Sequence, residues 1–197
     1  MKKIVLASGN TGKIAEINVL LKHMPIQLIP QSDFHIESVE ETGTTFIENA
    51  IIKARHATHV SKLPAIADDS GLAVHALQGA PGVYSARYGG QVASDLDRIR
   101  KVLTELEKIN TKDRSATFYC VMVLLRHEHD PAPTIFQGKW DGVISREPKG
   151  HQGFGYDPIF YVPTHHCSAS ELDRHEKNNI SHRGQAVRQL IDALKNR

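Results

Sequence analysis

The amino-acid sequence predicts an α/β fold: an elongated mixed β-sheet flanked by helices and bent into two lobes. Three observations lead there. The chain opens with alternating strand and helix patterns in the order βαβαβ. A mostly β stretch follows and helices close the chain, an order that puts helices on both faces of one mixed sheet. At 197 residues and 40% hydrophobic content, the chain can bury roughly 70% of its unfolded surface. No internal repeat, low-complexity tract or linker divides it, so residues 1–197 read as one domain of two lobes.

Lys3 to Ser8 is a β-rich run. Beyond a glycine-bearing turn, Lys13 to His23 carries Ile14, Ile17, Leu20 and Leu21 at helical spacing. Ile26 to Pro30 reads as a short second strand. Thr45-Phe-Ile-Glu48 is a capping box, in which Thr and Glu three residues apart satisfy each other's backbone N–H. It opens a helix to about Val60. Ala65 to Ala67 is a short buried strand ending in Asp68-Asp69-Ser70-Gly71, and Leu72 to Leu77 continues as a strand or hairpin arm.

Gly79-Ala-Pro-Gly82 and Gly89-Gly90 bracket a loop. Ser94-Asp-Leu-Asp97 caps a helix to about Ile109. Ala116 to Arg126 is a long apolar strand and the best core candidate, with Thr134 to Ile144 as its hairpin partner. Gly153 to Val162 reads as a further strand, and Ser170-Glu-Leu-Asp173 as the cap of a short helix. His182 to Asn196 is the last helix, with Val187, Leu190, Ile191 and Leu194 inward. Thr164 to Ser168 reads as a surface loop.

Composition excludes several function classes. Basic and acidic residues number 24 and 22, a net charge of +2, which gives no field for non-specific nucleic-acid binding. No apolar run approaches the roughly 18 residues of a membrane span. Neither nucleic acid nor membrane is therefore an expected partner. The apolar run Ile4 to Ala7 is too short for a signal peptide. Two cysteines, Cys120 and Cys167, make no disulfide framework, which fits a cytoplasmic location. The pairs His127/His129 and His165/His166 lack the partner ligands of a zinc site and read as surface or structural groups.

Five segments carry candidate chemistry. Ser8-Gly9-Asn10-Thr11-Gly12-Lys13 lies between a strand and a helix. Such a junction presents backbone N–H groups and a positive dipole end to an anion, or is a plain strand-to-helix turn. It is not a Walker A loop, whose glycines stand further apart and whose lysine precedes Ser or Thr. Lys53 shares a helix face with Phe46, Asn49, Ala50, Ala54 and Ala57; its ammonium either snorkels outward or points into a cleft. Glu40, Glu41, Asp68 and Asp69 form an acidic set. Two or three such carboxylates with water suit Mg²⁺. Adjacent strand residues face opposite ways, so one of Asp68 and Asp69 enters a cleft while the other ties up the turn. Glu48 belongs to the capping box.

Phe154 stands between Gly153 and Gly155, either as a stacking surface for a planar base or as a core ring beside kinking glycines. Tyr156 and Asp157 complete that motif. Ser181 is placed to cap the last helix, with His182 and Arg183 as hydrogen-bond donors and Lys177 just upstream. Arg87, in the Gly/Pro loop, has no assigned chemistry.

The ordered set SGNTGK, EETGTTFIENAIIKA, AIADDSGL, GAPGVYSARY, GFGYDPIF and SHRGQA resembles the inosine/xanthosine triphosphate pyrophosphatase family, the Ham1-like house-cleaning nucleotidases. The resemblance runs from Lys3 to about Leu194. It implies Mg²⁺-dependent hydrolysis of dITP, ITP and XTP to the monophosphate and pyrophosphate, a substrate cleft between two lobes, and a homodimer. By the same resemblance, Ser8 to Lys13 and Lys53 grip the triphosphate and Ser70 contacts substrate. Asp69 is the general base and holds the metal with a glutamate from the Glu40-Glu41 pair. Phe154, Gly155, Tyr156, Asp157, Lys177, His182 and Arg183 form the base pocket. Two rivals share these features: a phosphatase releasing orthophosphate, and a nucleotide-binding module without turnover.

Overall fold

The computed structural model describes residues 2–90 and 92–195. Strand β1 (Lys2–Ala7), helix α1 (Thr11–Leu21), β2 (Ile26–Pro30), α2 (Phe46–Ser61) and β3 (Ala65–Val74) form the opening alternation. Helix α3 (Asp95–Lys108), β4 (Ser115–Leu125), β5 (Thr134–Ile144), β6 (Phe160–Val162), β7 (Cys167–Ser168), α4 (Arg174–Ile180) and α5 (His182–Lys195) follow. Seven strands make one sheet in the order β2-β1-β3-β4-β5-β6-β7. β1 pairs in parallel with β2 and β3, in register Ile4 with Leu28 and Val5 with Ala65. β6 pairs antiparallel with β5 and β7. The sheet is mixed and helix-flanked, as the sequence predicts. Among the described residues no helix is long and apolar enough to cross a membrane.

Two compact units divide the chain. The first contains Met1–Asp69, Cys120–Gly138 and Arg183–Arg197; the second contains Ser70–Tyr119 and Lys139–His182. In the first unit the two sheet faces bury different side chains. Ile4, Leu6, Ile66, Cys120 and Met122 pack with α1 and α5 residues such as Ile17, Val187 and Leu190. Val5, Ala7, Ala65, Ala67 and Val121 pack with Ala50, Ala54 and Ala57 of α2. The period of two that sends neighbouring strand residues to opposite faces produces this sorting. The second unit has its own core, centred on Leu72, Phe118, Trp140, Ile159 and Phe160.

Several sequence expectations are corrected. The short strand expected over Ala65–Ala67 runs unbroken through Asp68–Gly71 to Val74, and a 3-10 turn at His75–Leu77 replaces the end of the second arm. The stretch expected as a strand from Gly153 is irregular until Phe160. Gly153 and Gly155 have φ of 78° and 64°, outside the β region, and a 3-10 turn covers Asp157–Ile159. The loop expected at Thr164 to Ser168 ends in β7, where Cys167 pairs with Val162. Ser170 does not cap α4. Its hydroxyl is bonded to Ser168 Oγ and Lys149 O, and Asp173 accepts the Glu176 N–H at 2.8 Å instead. Asn196, the expected end of α5, lies outside the described residues.

Candidate active site

In the first unit the site begins at the β1–α1 junction. Asn10 caps α1, its Oδ1 accepting the Lys13 N–H at 3.0 Å, so the helix starts at Thr11 rather than Lys13. Ser8 Oγ accepts the Asn10 N–H at 3.3 Å, and the space a Cβ would fill at Gly9 is open. Lys13 Nζ reaches Asp68 Oδ2 at 2.9 Å. On the same oxygen, at 3.8 Å, stands Arg183 Nη2, while Arg183 Nη1 is paired with Glu16 of α1.

Asp68 and Asp69 face opposite ways because β3 runs straight through them. Asp68 belongs to the α1–α5 face. Burial alone would raise its carboxyl pKa, but Lys13, Arg183 and Lys53 bring it down to about 2. The turn that the sequence suggested does not follow it, because β3 runs on to Val74; it lies against the half-buried Lys13 and the buried Arg183. Asp69 belongs to the α2 face. Lys53, at the third turn of α2, holds Glu41 Oε1 at 2.7 Å and Asp69 Oδ1 at 3.2 Å. Burial pulls the Lys53 ammonium pKa down, and the charges of Asp69, Asp68 and Glu41 more than restore it. Burial pushes the Asp69 carboxyl up, and Glu41 and Asp68 add to this against the opposing lysines. Glu40 is exposed to solvent, whereas its neighbour Glu41 is half-buried.

The second unit carries the other candidates. Asp157 Oδ2 accepts the Phe154 N–H at 2.8 Å, partly buried, and the Lys177 ammonium at 2.7 Å, buried. Lys177 Nζ lies 5.3 Å from the Phe154 ring centroid, within cation–π range. Gly155 N–H donates to Asp95 Oδ2 at 2.7 Å. Phe154 and Gly155 line a cavity of about 440 Å³ with Asp95, Lys149, His151 and Gln152. The His182 ring stacks on Phe118, with centroids 4.7 Å apart and planes at 7°. Tyr156 is buried, its hydroxyl donating to Ser85 O at 2.8 Å, and burial raises its phenol pKa. Its side chain is thus committed to the core. Ser70 is half-buried beside Asp69 on β3, and Ser181 precedes α5 in extended backbone.

The model of the Ham1 family matches residues 4–193. The chain belongs to the Ham1 family. It is 58% identical to the dITP/XTP pyrophosphatase of Coxiella burnetii, over 98% of this chain and 97% of that one. It is 56% identical to the dITP/XTP pyrophosphatase of Shigella flexneri, with both chains covered in full. The solved structure of a HAM1 protein from Coxiella burnetii superposes with a TM-score of 0.95 at 57% identity, covering 100% of both chains.

Set against the Ham1-like reading of the motifs, the structure brings Lys13, Lys53, Asp68, Asp69, Glu41 and Arg183 into one unit, and Phe154, Asp157, Lys177 and His182 into the other. Sequence reasoning missed Glu16 and Asp95. Glu16 stands three residues after Lys13 on α1, a spacing that puts both on one helix face. Asp95 was hidden inside the Ser94-to-Asp97 capping box. Arg87 lies 5.0 Å from the Tyr84 ring.

Proposed function

We propose that the chain hydrolyses dITP, ITP and XTP to the monophosphate and pyrophosphate. The relatives named dITP/XTP pyrophosphatase support the reaction class. The observation that carries the reading in this molecule is the Glu41–Lys53–Asp69 bridge. It sets a half-buried ammonium between two carboxylates, next to a second set of cations on Asp68.

The charges of the first unit support a metal in the reaction. Lys13, Lys53 and Arg183 face four carboxylates, Glu16, Glu41, Asp68 and Asp69. Such a group does not attract a triphosphate by itself. A divalent cation reverses its sign. Glu41 and Asp69, both held by the Lys53 ammonium, offer carboxylate oxygens, the donor type Mg²⁺ takes. Among the described residues no cluster holds three or more metal-type side chains. Mg²⁺ sites that use one or two carboxylates and fill the rest of the shell with water and phosphate oxygens have this form. Glu41, not Glu40, is the residue of the pair assigned to the metal. Bound there, Mg²⁺ would neutralise the triphosphate and polarise the phosphorus under attack.

Asp69 takes the proton of the attacking water; burial among carboxylates makes it more basic than an exposed aspartate. Lys53 and Lys13 stabilise charge developing on the triphosphate. Phe154 stacks the purine, with Asp157 and Lys177 fixing its loop. Arg183 and His182 offer N–H donors to a 6-keto oxygen, against which the 6-amino group of adenine sets donor on donor. The chain acts as a homodimer in the cytoplasm.

Hydrolysis of ITP, XTP, ATP and GTP in parallel, with pyrophosphate and orthophosphate scored separately, tests this reading. Pyrophosphate from ITP and XTP, with little from ATP or GTP and none without Mg²⁺, is the expected result. Orthophosphate release, equal use of all four, or binding without turnover overturns it.

A further inference from the structure

The loop before α2 is tied to that helix at two points. Glu41 meets Lys53 at 2.7 Å. Two residues on, the Gly43 N–H donates to Asn49 Oδ1 at 2.8 Å. Asn49 and Lys53 stand four residues apart and share a helix face. Next to this second tie, Glu48 accepts the Thr44 and Thr45 N–H groups at 2.8 and 2.9 Å.

Asn49 is an odd residue for its position. It is 0% exposed, on a face shared with Ala50, Ala54 and Ala57. Its Nδ2 is buried with no acceptor among the described residues. Burying an unmet donor is unfavourable, and alanine is the better helix former. What the asparagine does supply is the acceptor that holds the loop to the helix. Gly43 complements it. A Cβ there would stand 2.5 Å from Glu48 Cβ and 2.7 Å from Asn49 Oδ1, so any larger residue lifts the loop off the helix.

We propose that Asn49, with Gly43 pressed against it, is a positioning residue that sets the Glu41 carboxylate beside Asp69 for the divalent cation. This rests on the reading of Glu41 as a metal ligand. Groups that orient a metal's ligands typically change affinity or activity by 10–100-fold when removed.

Asn49→Ala and Gly43→Ala test it from the two sides of one contact. Each is expected to raise the Mg²⁺ concentration for half-maximal ITP hydrolysis by about tenfold. The kcat at saturating Mg²⁺ and the KM for ITP should stay within about threefold of the wild-type values, an allowance set by the usual scatter of mutational effects. Mn²⁺ binding, followed by loss of the free-ion EPR signal without substrate, is expected to weaken by the same factor. The double variant is expected to match either single one, since both cut the same tie. An unchanged Mg²⁺ requirement in folded variants overturns the proposal. So does a fall in kcat and melting temperature with no change in Mg²⁺ requirement. If Asn49→Ala fails to fold, Gly43→Ala decides alone. Glu41→Gln is run alongside. If it leaves the Mg²⁺ requirement unchanged, the metal-ligand reading fails and takes this proposal with it. If it raises the requirement while the other two do not, only the role of Asn49 fails.

Discussion

Asp68 is 1% exposed, and in that setting a lone carboxylate would be protonated. Lys13 and Arg183 keep it ionised, with a pKa of about 2 against an ordinary 3.8. A carboxyl held below its unfolded value stabilises the fold at pH above the unfolded pKa, and that contribution is lost as pH falls toward the folded one. Asp68→Asn should therefore cost about 3 kcal/mol at pH 7, because it leaves the buried Arg183 and the half-buried Lys13 short of their counter-charge. Urea titrations should show the gap between wild type and variant closing between pH 4 and pH 2. A gap that does not change with pH would contradict the charge argument. Asp69→Asn has the opposite signature. Its turnover should fall by about 10²–10⁴, the range of a general base, with circular dichroism and melting temperature preserved. The sequence makes the opposition of these two residues legible, because strand alternation needs only their adjacency. It hides the partners: Glu16 and Arg183 reach the Asp68 group from positions 16 and 183, and no local pattern links those.

Elements follow the same division between local and distant causes. The capping boxes at Thr45–Glu48 and Ser94–Asp97 form as the sequence predicts, since each is closed by residues three apart. Thr45→Ala should lose about 1 kcal/mol of stability, read by urea unfolding. The two-residue β7 was not legible, because its pairing with Val162 is set by register and not by composition. The stretch from Gly153 misled for a different reason. Its aromatic and apolar residues suit a strand, but the fold uses Gly153 at φ 78° to turn Asp157 back under Phe154. A Cβ at Gly153 would collide with Asp157 Oδ2. Gly153→Ala should lose about 2 kcal/mol, from the left-handed backbone and the displaced carboxylate together. It should also raise the KM for ITP more than it lowers kcat, since the loop it disturbs is the one assigned to the base. Equal falls in kcat and kcat/KM would place the loop's contribution in the transition state instead.

At the scale of the molecule, the two faces of the first unit converge on the central strand β4, and Cys120 on that strand reports on the whole arrangement. It is 0% exposed, and burial pushes its thiol up to about 12. The thiolate is the reactive form, so the folded protein should hold Cys120 inert while the half-buried Cys167 reacts. In a Cys167→Ser variant, alkylation then requires opening of the core between α1, α5 and the sheet. A ligand that binds only the folded state lowers the open population by the factor 1 + [L]/Kd. With Mg²⁺ and a non-hydrolysable ITP analogue at about 100 times its Kd, Cys120 alkylation should slow by roughly 100-fold. The ATP analogue at the same concentration should slow it far less, because its 6-amino group meets donors. Equal protection by both would place the purine discrimination in the chemical step rather than in binding. No protection by either, with turnover intact, would mean that Cys120 is reached through a local opening that the nucleotide does not restrain.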